Sequence, residues 1–114
     1  MNKNLFIVSL TLVLFILASC NNSNQKYMQD INLAYDSLNS YDKETIKNWK
    51  KAEVLEYTPS ETLEIMDNDY KLVDIKDTPV IRIIFKTTDD ETLGPITIYI
   101  HKESKKIIGT GIRK

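Results

Sequence analysis

Marked only as apolar or polar, the chain falls into two unlike parts. Residues 5–17 (LFIVSLTLVLFIL) are a near-continuous apolar run, interrupted only by Ser9 and Thr11. After Cys20 the apolar residues are spaced out, first at helical and then at strand intervals. Residues 26–39 (KYMQDINLAYDSLN) put Tyr27, Ile31, Ala34, Tyr35 and Leu38 on one face of a helix. Gln29, Asp30, Asn32 and Asp36 turn away from it. Ser40-Tyr41 breaks the pattern. Asp42 suits an N-cap, and Tyr41 and Ile46 have the spacing of a hydrophobic staple. Residues 43–50 then read as a second short helix with Ile46 and Trp49 inward.

Beyond Trp49 the period shortens to two. Residues 52–58 alternate and stop at Pro59, which predicts a strand, the rival reading being an extension of the second helix. Residues 62–66 (TLEIM) and 70–75 (YKLVDI) flank Asp67-Asn68-Asp69, the pattern of a β-hairpin. Residues 80–87 (VIRIIFKT), 96–101 (ITIYIH) and 106–112 (KIIGTGI) are rich in β-branched and aromatic side chains. Ile81, Ile83 and Phe85 oppose Arg82 and Lys86, while Ile96, Ile98 and Ile100 oppose Thr97, Tyr99 and His101. One apolar and one mixed face predict an antiparallel sheet covered on one side only. The expected fold class is α+β: N-terminal amphipathic helices packed on one face of a curved antiparallel sheet of four to six strands.

Charge sharpens the division at Cys20. All 16 acidic residues and all but one of the 15 Lys and Arg follow it, so residues 20–114 form one small domain of formal charge −2. So even a balance supplies no electrostatic footprint for nucleic acid and no basic patch aimed at anionic lipid.

The apolar run itself has the parts of a secretory signal: Lys3 and the terminal amine, a short apolar core, then small residues. As a helix it would reach about 20 Å, short of the ~30 Å hydrocarbon core, so a membrane-spanning anchor is the weaker reading. Leu17-Ala18-Ser19-Cys20 resembles the lipobox of bacterial lipoproteins. The resemblance covers residues 1–20. It implies removal of residues 1–19 by cleavage between Ser19 and Cys20, with a diacylglycerol thioether on the Cys20 thiol. Two or three acyl chains anchor stably where one is marginal. It also implies a lipid-anchored, extracytoplasmic location on a cell-envelope membrane. Residues 20–25 would be the lipidated cysteine and a polar tether, Asn21-Asn22-Ser23-Asn24-Gln25. Residues 26–114 would be a single α+β domain. Cys20 is the one cysteine, which excludes a disulfide within the chain.

The tail ITIYIHKESKKIIG is similar to the ending of PepSY-type modules, and helix-then-meander order resembles cystatin-like ones. The first covers about fifteen residues. His101 and Lys105 depart from it, since that ending carries Asp and Gly there. The resemblance implies a fold, not an activity.

Candidate chemistry is sparse. His101 is the single histidine, and nothing in the sequence sets a serine or carboxylate beside it. Asp89-Asp90-Glu91 is the densest carboxylate cluster and reads as a solvated turn, shaped by Gly94-Pro95, with Leu93 tucked under the sheet. An EF-hand starting at Asp67 would need Gly and Glu where Leu72 and Thr78 stand. Gly109-Thr110-Gly111 has no helix after it to receive a phosphate and reads as a bulge or a close approach by a neighbouring backbone or ring, Trp49 or Tyr35 being the expected ring. No motif calls for a metal or a cofactor, and no catalytic set is expected.

Tyr57, Tyr70 and Tyr99 are the tyrosines expected to be exposed. Tyr99, His101, Arg82 and Thr97 share the mixed face and form the candidate binding patch. The expected role is a non-enzymatic module that binds another envelope protein through its sheet face or edge. The alternative is a small-molecule or peptide binder with a pocket between helix and sheet.

Overall fold

The computed structural model describes residues 25–113. The segment read as an export signal, the expected Ser19–Cys20 cleavage position and most of the expected tether lie outside the described residues. Gln25, expected to end the tether, already belongs to a 3-10 turn, Gln25–Tyr27, that leads into helix α1, Met28–Asp36.

Helix α1 is held by two residues one turn apart, Ile31 and Ala34, exposed by 1% and 0%. Full burial of an isoleucine is worth about 2 kcal/mol, and Ala34 lets the helix come close to the sheet. Asp30, expected on the solvent side, is instead 7% exposed and lies 3.5 Å from Nζ of Lys105. An acidic residue in the first turn is compatible with the helix dipole, and the lysine compensates its burial.

Helix α2 spans Ser40–Thr45, and its N-cap is Asn39, not Asp42. The Asn39 side chain accepts from the Asp42 N–H at 2.8 Å, one turn earlier than expected. Tyr41 therefore sits inside the helix, 68% exposed, and forms no staple. The expected helix over 43–50 is broken in the middle. Ile46 turns extended to bridge Thr87, and Asn48 takes a left-handed conformation (φ 45). Trp49–Lys51 then forms a separate 3-10 turn.

Six strands follow: β1 Glu53–Tyr57, β2 Glu64–Asp67, β3 Leu72–Asp74, β4 Val80–Phe85, β5 Ile96–His101 and β6 Ile107–Thr110. They form one antiparallel sheet in the order β1-β4-β5-β6-β2-β3, with the short helix α3, Asp90–Leu93, between β4 and β5. The strand reading of residues 52–58, the hairpin about Asp67-Asn68-Asp69 and the α+β class are all present. In that hairpin the Asp67 carboxylate accepts from the Asp69 and Lys71 N–H groups, 2.9 Å each.

Helix α1 covers one face, while α2 buries no residue. Ile31 and Ala34 pack on Ile81, Ile83 and Phe85 of β4 and Ile96, Ile98 and Ile100 of β5. Tyr35 and Trp49 close the side of this core, their rings stacked 4.6 Å apart. The other face departs from expectation, because half of it is buried as well. Val80, Tyr99, Ile65 and Ile75 form a second core there, exposed by 6% or less. Two connections cover it, residues 58–63 and 75–79, which lie side by side. Ile75 N–H donates to the Leu63 carbonyl at 2.9 Å and Asp77 N–H to that of Pro59 at 2.8 Å. The Asp74 carboxylate locks them, accepting from the N–H groups of Leu63 and Lys76, which hold it below the ordinary carboxylate range.

Candidate functional site

Strand alternation does put the four patch residues on one face. In the β4–β5 register Arg82 faces Tyr99, Ile84 faces Thr97 and Val80 faces His101. The four differ sharply in access. Tyr99 is 6% exposed, so it is a core residue of the second cluster and not a docking side chain. Burial raises its phenol above the ordinary 10.0, and the neighbouring Tyr57 adds to that while Arg82 opposes it. The sequence misleads here because the covering connections come from residues far away in the chain. Of the other tyrosines, Tyr57 is half-buried and Tyr70 is 87% exposed.

His101 ends β5 and its Nδ1 accepts from the N–H groups of Glu103 and Ser104, both at 3.3 Å. That shapes the β5–β6 turn. Among the described residues no carboxylate is hydrogen-bonded to it. Thr97 is half-buried beside Gly111, whose position allows a Cβ only 3.2 Å from that of Thr97.

Arg82 is the member that carries an unmet demand. Its guanidinium carbon stands 5.4 Å from the centre of the Tyr57 ring. Its Nε is shielded from solvent and lacks a hydrogen-bond partner among the described residues. A buried donor left unpaired costs about 1–3 kcal/mol. Its outer-face neighbours are apolar: Leu55, its partner on β1, is 46% exposed and Ile84 half-buried. The β1 strand pairs only with β4 among the described residues, so its other edge is open beside them. Leu55, Arg82, Ile84 and Thr97, with the ion pair of Glu53 and Lys86 at one end, thus form the accessible part of the outer face. Leu55 and Ile84 were absent from the sequence-derived patch, although period two on β1 and β4 puts them there.

The loop after β4 is structural. Asp90 accepts from the Thr87 N–H at 2.9 Å and hydroxyl at 2.8 Å, with Thr87 1% exposed. Burial pushes the Asp90 carboxyl up, but the two Thr87 bonds, with Lys47 and Arg113 nearby, leave it below its ordinary value. Arg113 ties the chain end in place, donating through Nη2 to the Gly94 carbonyl at 2.8 Å. Leu93 is 41% exposed and does not tuck under the sheet. Among the described residues no cluster of His, Cys, Asp or Glu is arranged to hold a metal ion.

Neither Trp49 nor Tyr35 is among the atoms that a Cβ at Gly109 or Gly111 would meet first. Gly109 is crossed by the β2 backbone, where a Cβ would collide with the Met66 carbonyl, and Gly111 lies against Thr97 and Tyr99.

A lysine-rich surface is the feature that net charge concealed. Residues 43–51 (KETIKNWKK) hold four lysines and one glutamate. Lys47 N–H donates to the Lys86 carbonyl at 2.9 Å, which pins this segment beside the end of β4. Lys47, Lys51 and Lys86 therefore rim one hollow of about 310 Å³, floored by Ala52 and Phe85. The signal was the charge run itself, averaged away in a domain of −2.

No family model, no curated protein and no solved structure matches this chain. Among the described residues no helix is long and apolar enough to cross a membrane.

Proposed function

We propose that the chain is a small lipoprotein of the bacterial cell envelope, anchored through Cys20, that binds another envelope protein without catalysis. The docking surface is the accessible outer face, Leu55, Arg82, Ile84 and Thr97, with the open β1 edge. The observation that carries this reading is the half-buried guanidinium of Arg82, its Nε unpaired, set beside the exposed Leu55 and the half-buried Ile84. Arg82 as a whole is only half-buried, so a partner carboxylate or carbonyl can pair with its guanidinium, while Leu55 and Ile84 supply apolar contact around it. An added strand along β1 would give main-chain hydrogen bonds in the same place. The space between α1 and the sheet favours docking over a pocket, because the side chains of its core are exposed by 8% or less.

The test is photo-crosslinking in the native host, with a benzophenone side chain at Ile84 or Leu55 and, as control, at Glu103 in the β5–β6 turn. The expected result is a discrete adduct from Ile84 and Leu55 that disappears with Arg82→Gln and is absent from Glu103. Adducts of equal pattern from all three positions, or none at Ile84 and Leu55, would contradict the reading.

A further inference from the structure

We propose that the lysine face around Trp49 is the surface on which the domain lies against anionic lipid headgroups, an inference that rests on the lipid anchor at Cys20. Two segments of the chain, residues 43–51 and the end of β4, build this face. The Ile46–Thr87 bridge and the Lys47–Lys86 backbone bond set Lys47 beside Lys86. The left-handed turn at Asn48 then swings the Trp49–Lys51 turn round, so that Lys51 rims the same hollow. Lys50 stands over one face of the Trp49 ring, 5.7 Å from its centre, and Tyr35 stacks on the ring.

Charge and chain entry agree on the occupant. Residues 43–51 carry a net +3, which leaves the remainder of residues 20–114 at −5, so an anionic surface attracts this side and repels the rest. Two acids offset this charge among the described residues: Glu53, 3.9 Å from Lys86 and exposed on both sides, which is weak in water, and Asp90, near Lys47. The chain enters the domain at the same side. Met28, the first residue of α1, lines a shallow hollow with Gln29, Asn32, Trp49 and Lys50. Gln25 stands five positions after Cys20, and that length of chain reaches about 18 Å at full extension. A lipid on Cys20 therefore holds this face within reach of the headgroups, where lysines attract phosphate and a tryptophan edge is at home. Such an orientation leaves the acidic remainder of the domain away from the membrane.

Trp49 is the single tryptophan, so it reports directly. The lipidated protein extracted from host membranes is placed in phosphatidylcholine vesicles, with or without about one third phosphatidylglycerol. Both carry a dansyl headgroup probe, and energy transfer from Trp49 to dansyl is read. Flotation with the neutral vesicles reports the anchor independently of the lysines. The expected result is equal flotation with both vesicle types, and transfer roughly twofold greater with the anionic ones. The excess should vanish in about 0.5 M salt, where screening shortens to roughly 4 Å. It should vanish too in a Lys47→Gln, Lys50→Gln, Lys51→Gln, Lys86→Gln variant. Equal transfer in both vesicle types with flotation intact would overturn the proposal while sparing the anchor. Failure to float with neutral vesicles would overturn the anchor and this proposal with it. Loss of a cross-linked host protein in the lysine variant, with transfer unchanged, would assign the face to an acidic protein and overturn the lipid assignment.

Discussion

The Arg82 guanidinium carbon stands 5.4 Å from the centre of the Tyr57 ring, while the backbone of Arg82 is in register with Tyr99. The arginine thus occupies the border between the second core and the accessible outer face. Replacing it with methionine keeps the packing stem, loses a ring contact of about 0.5–1 kcal/mol and removes an unpaired donor that costs about 1–3 kcal/mol. Arg82→Met should leave the urea midpoint, read from Trp49 emission, within about 1 kcal/mol of wild type while cross-linking from Ile84 is lost. A larger loss of stability would make the guanidinium a structural element and remove the main support for docking.

Gly109 and Gly111 should respond differently to the same substitution. A Cβ at Gly109 runs into the Met66 carbonyl on the neighbouring strand, whereas at Gly111 the nearest atom is the Thr97 Cβ at 3.2 Å. Gly109→Ala should destabilise by about 2–3 kcal/mol as β2 and β6 are forced apart. Gly111→Ala should cost about 1 kcal/mol or less. Equal midpoints for the two variants would mean that β2 and β6 do not approach as closely as described.

Asp90 should shape the acid side of the stability curve. Its carboxyl is held below the ordinary 3.8, so the ion is favoured by folding. The sign follows: its contribution is fully present above the unfolded-state value and is lost as pH falls through the lower folded-state value. Asp90→Asn should therefore flatten unfolding free energy against pH below about pH 4 and leave the slope near neutrality unchanged. Denaturant titrations across that range read it directly, and an unchanged acid slope would contradict the assigned bonds to Thr87.

Tyr35 links Trp49 to the core, stacked on it at 4.6 Å and edge-on to Phe85 at 6.2 Å. Trp49→Ala should cost about 2–3 kcal/mol, and a double-mutant cycle with Tyr35→Leu should return about 0.5–1.5 kcal/mol of coupling. The midpoints come from far-ultraviolet circular dichroism, since the variant has no tryptophan. Additive effects would show that the two rings contribute independently.

Local patterning reached the elements and stopped at their covering. Ile31 and Ala34 on α1, the alternation of β5 and the turn about Asp67-Asn68-Asp69 are all readable, because each depends on residues a few positions apart. The second core was half visible in VIRIIF. A strand buried on both faces reads as a continuous apolar run, and Val80 and Ile84 on the side of Arg82 were that signal. What covers Tyr99 comes from residues 58–63 and 75–79, whose meeting depends on the strand order β1-β4-β5-β6-β2-β3. No local period encodes that order. Asp30 misled for the same reason, since its partner Lys105 is 75 positions away in the chain. Of the candidate patch, the shared face was legible and access was not.

Anchoring through Cys20 underlies both the docking proposal and the lipid-facing orientation, and one measurement reaches it directly. The protein is expressed with its own leader beside Cys20→Ala, and intact mass and membrane fractionation are determined for each. The expected result is loss of residues 1–19, a diacylglycerol-sized mass gain at Cys20 and a membrane-bound product, all abolished by the substitution. A wild-type chain that keeps its leader, or loses it without gaining lipid, would contradict the anchor and the functional account built on it.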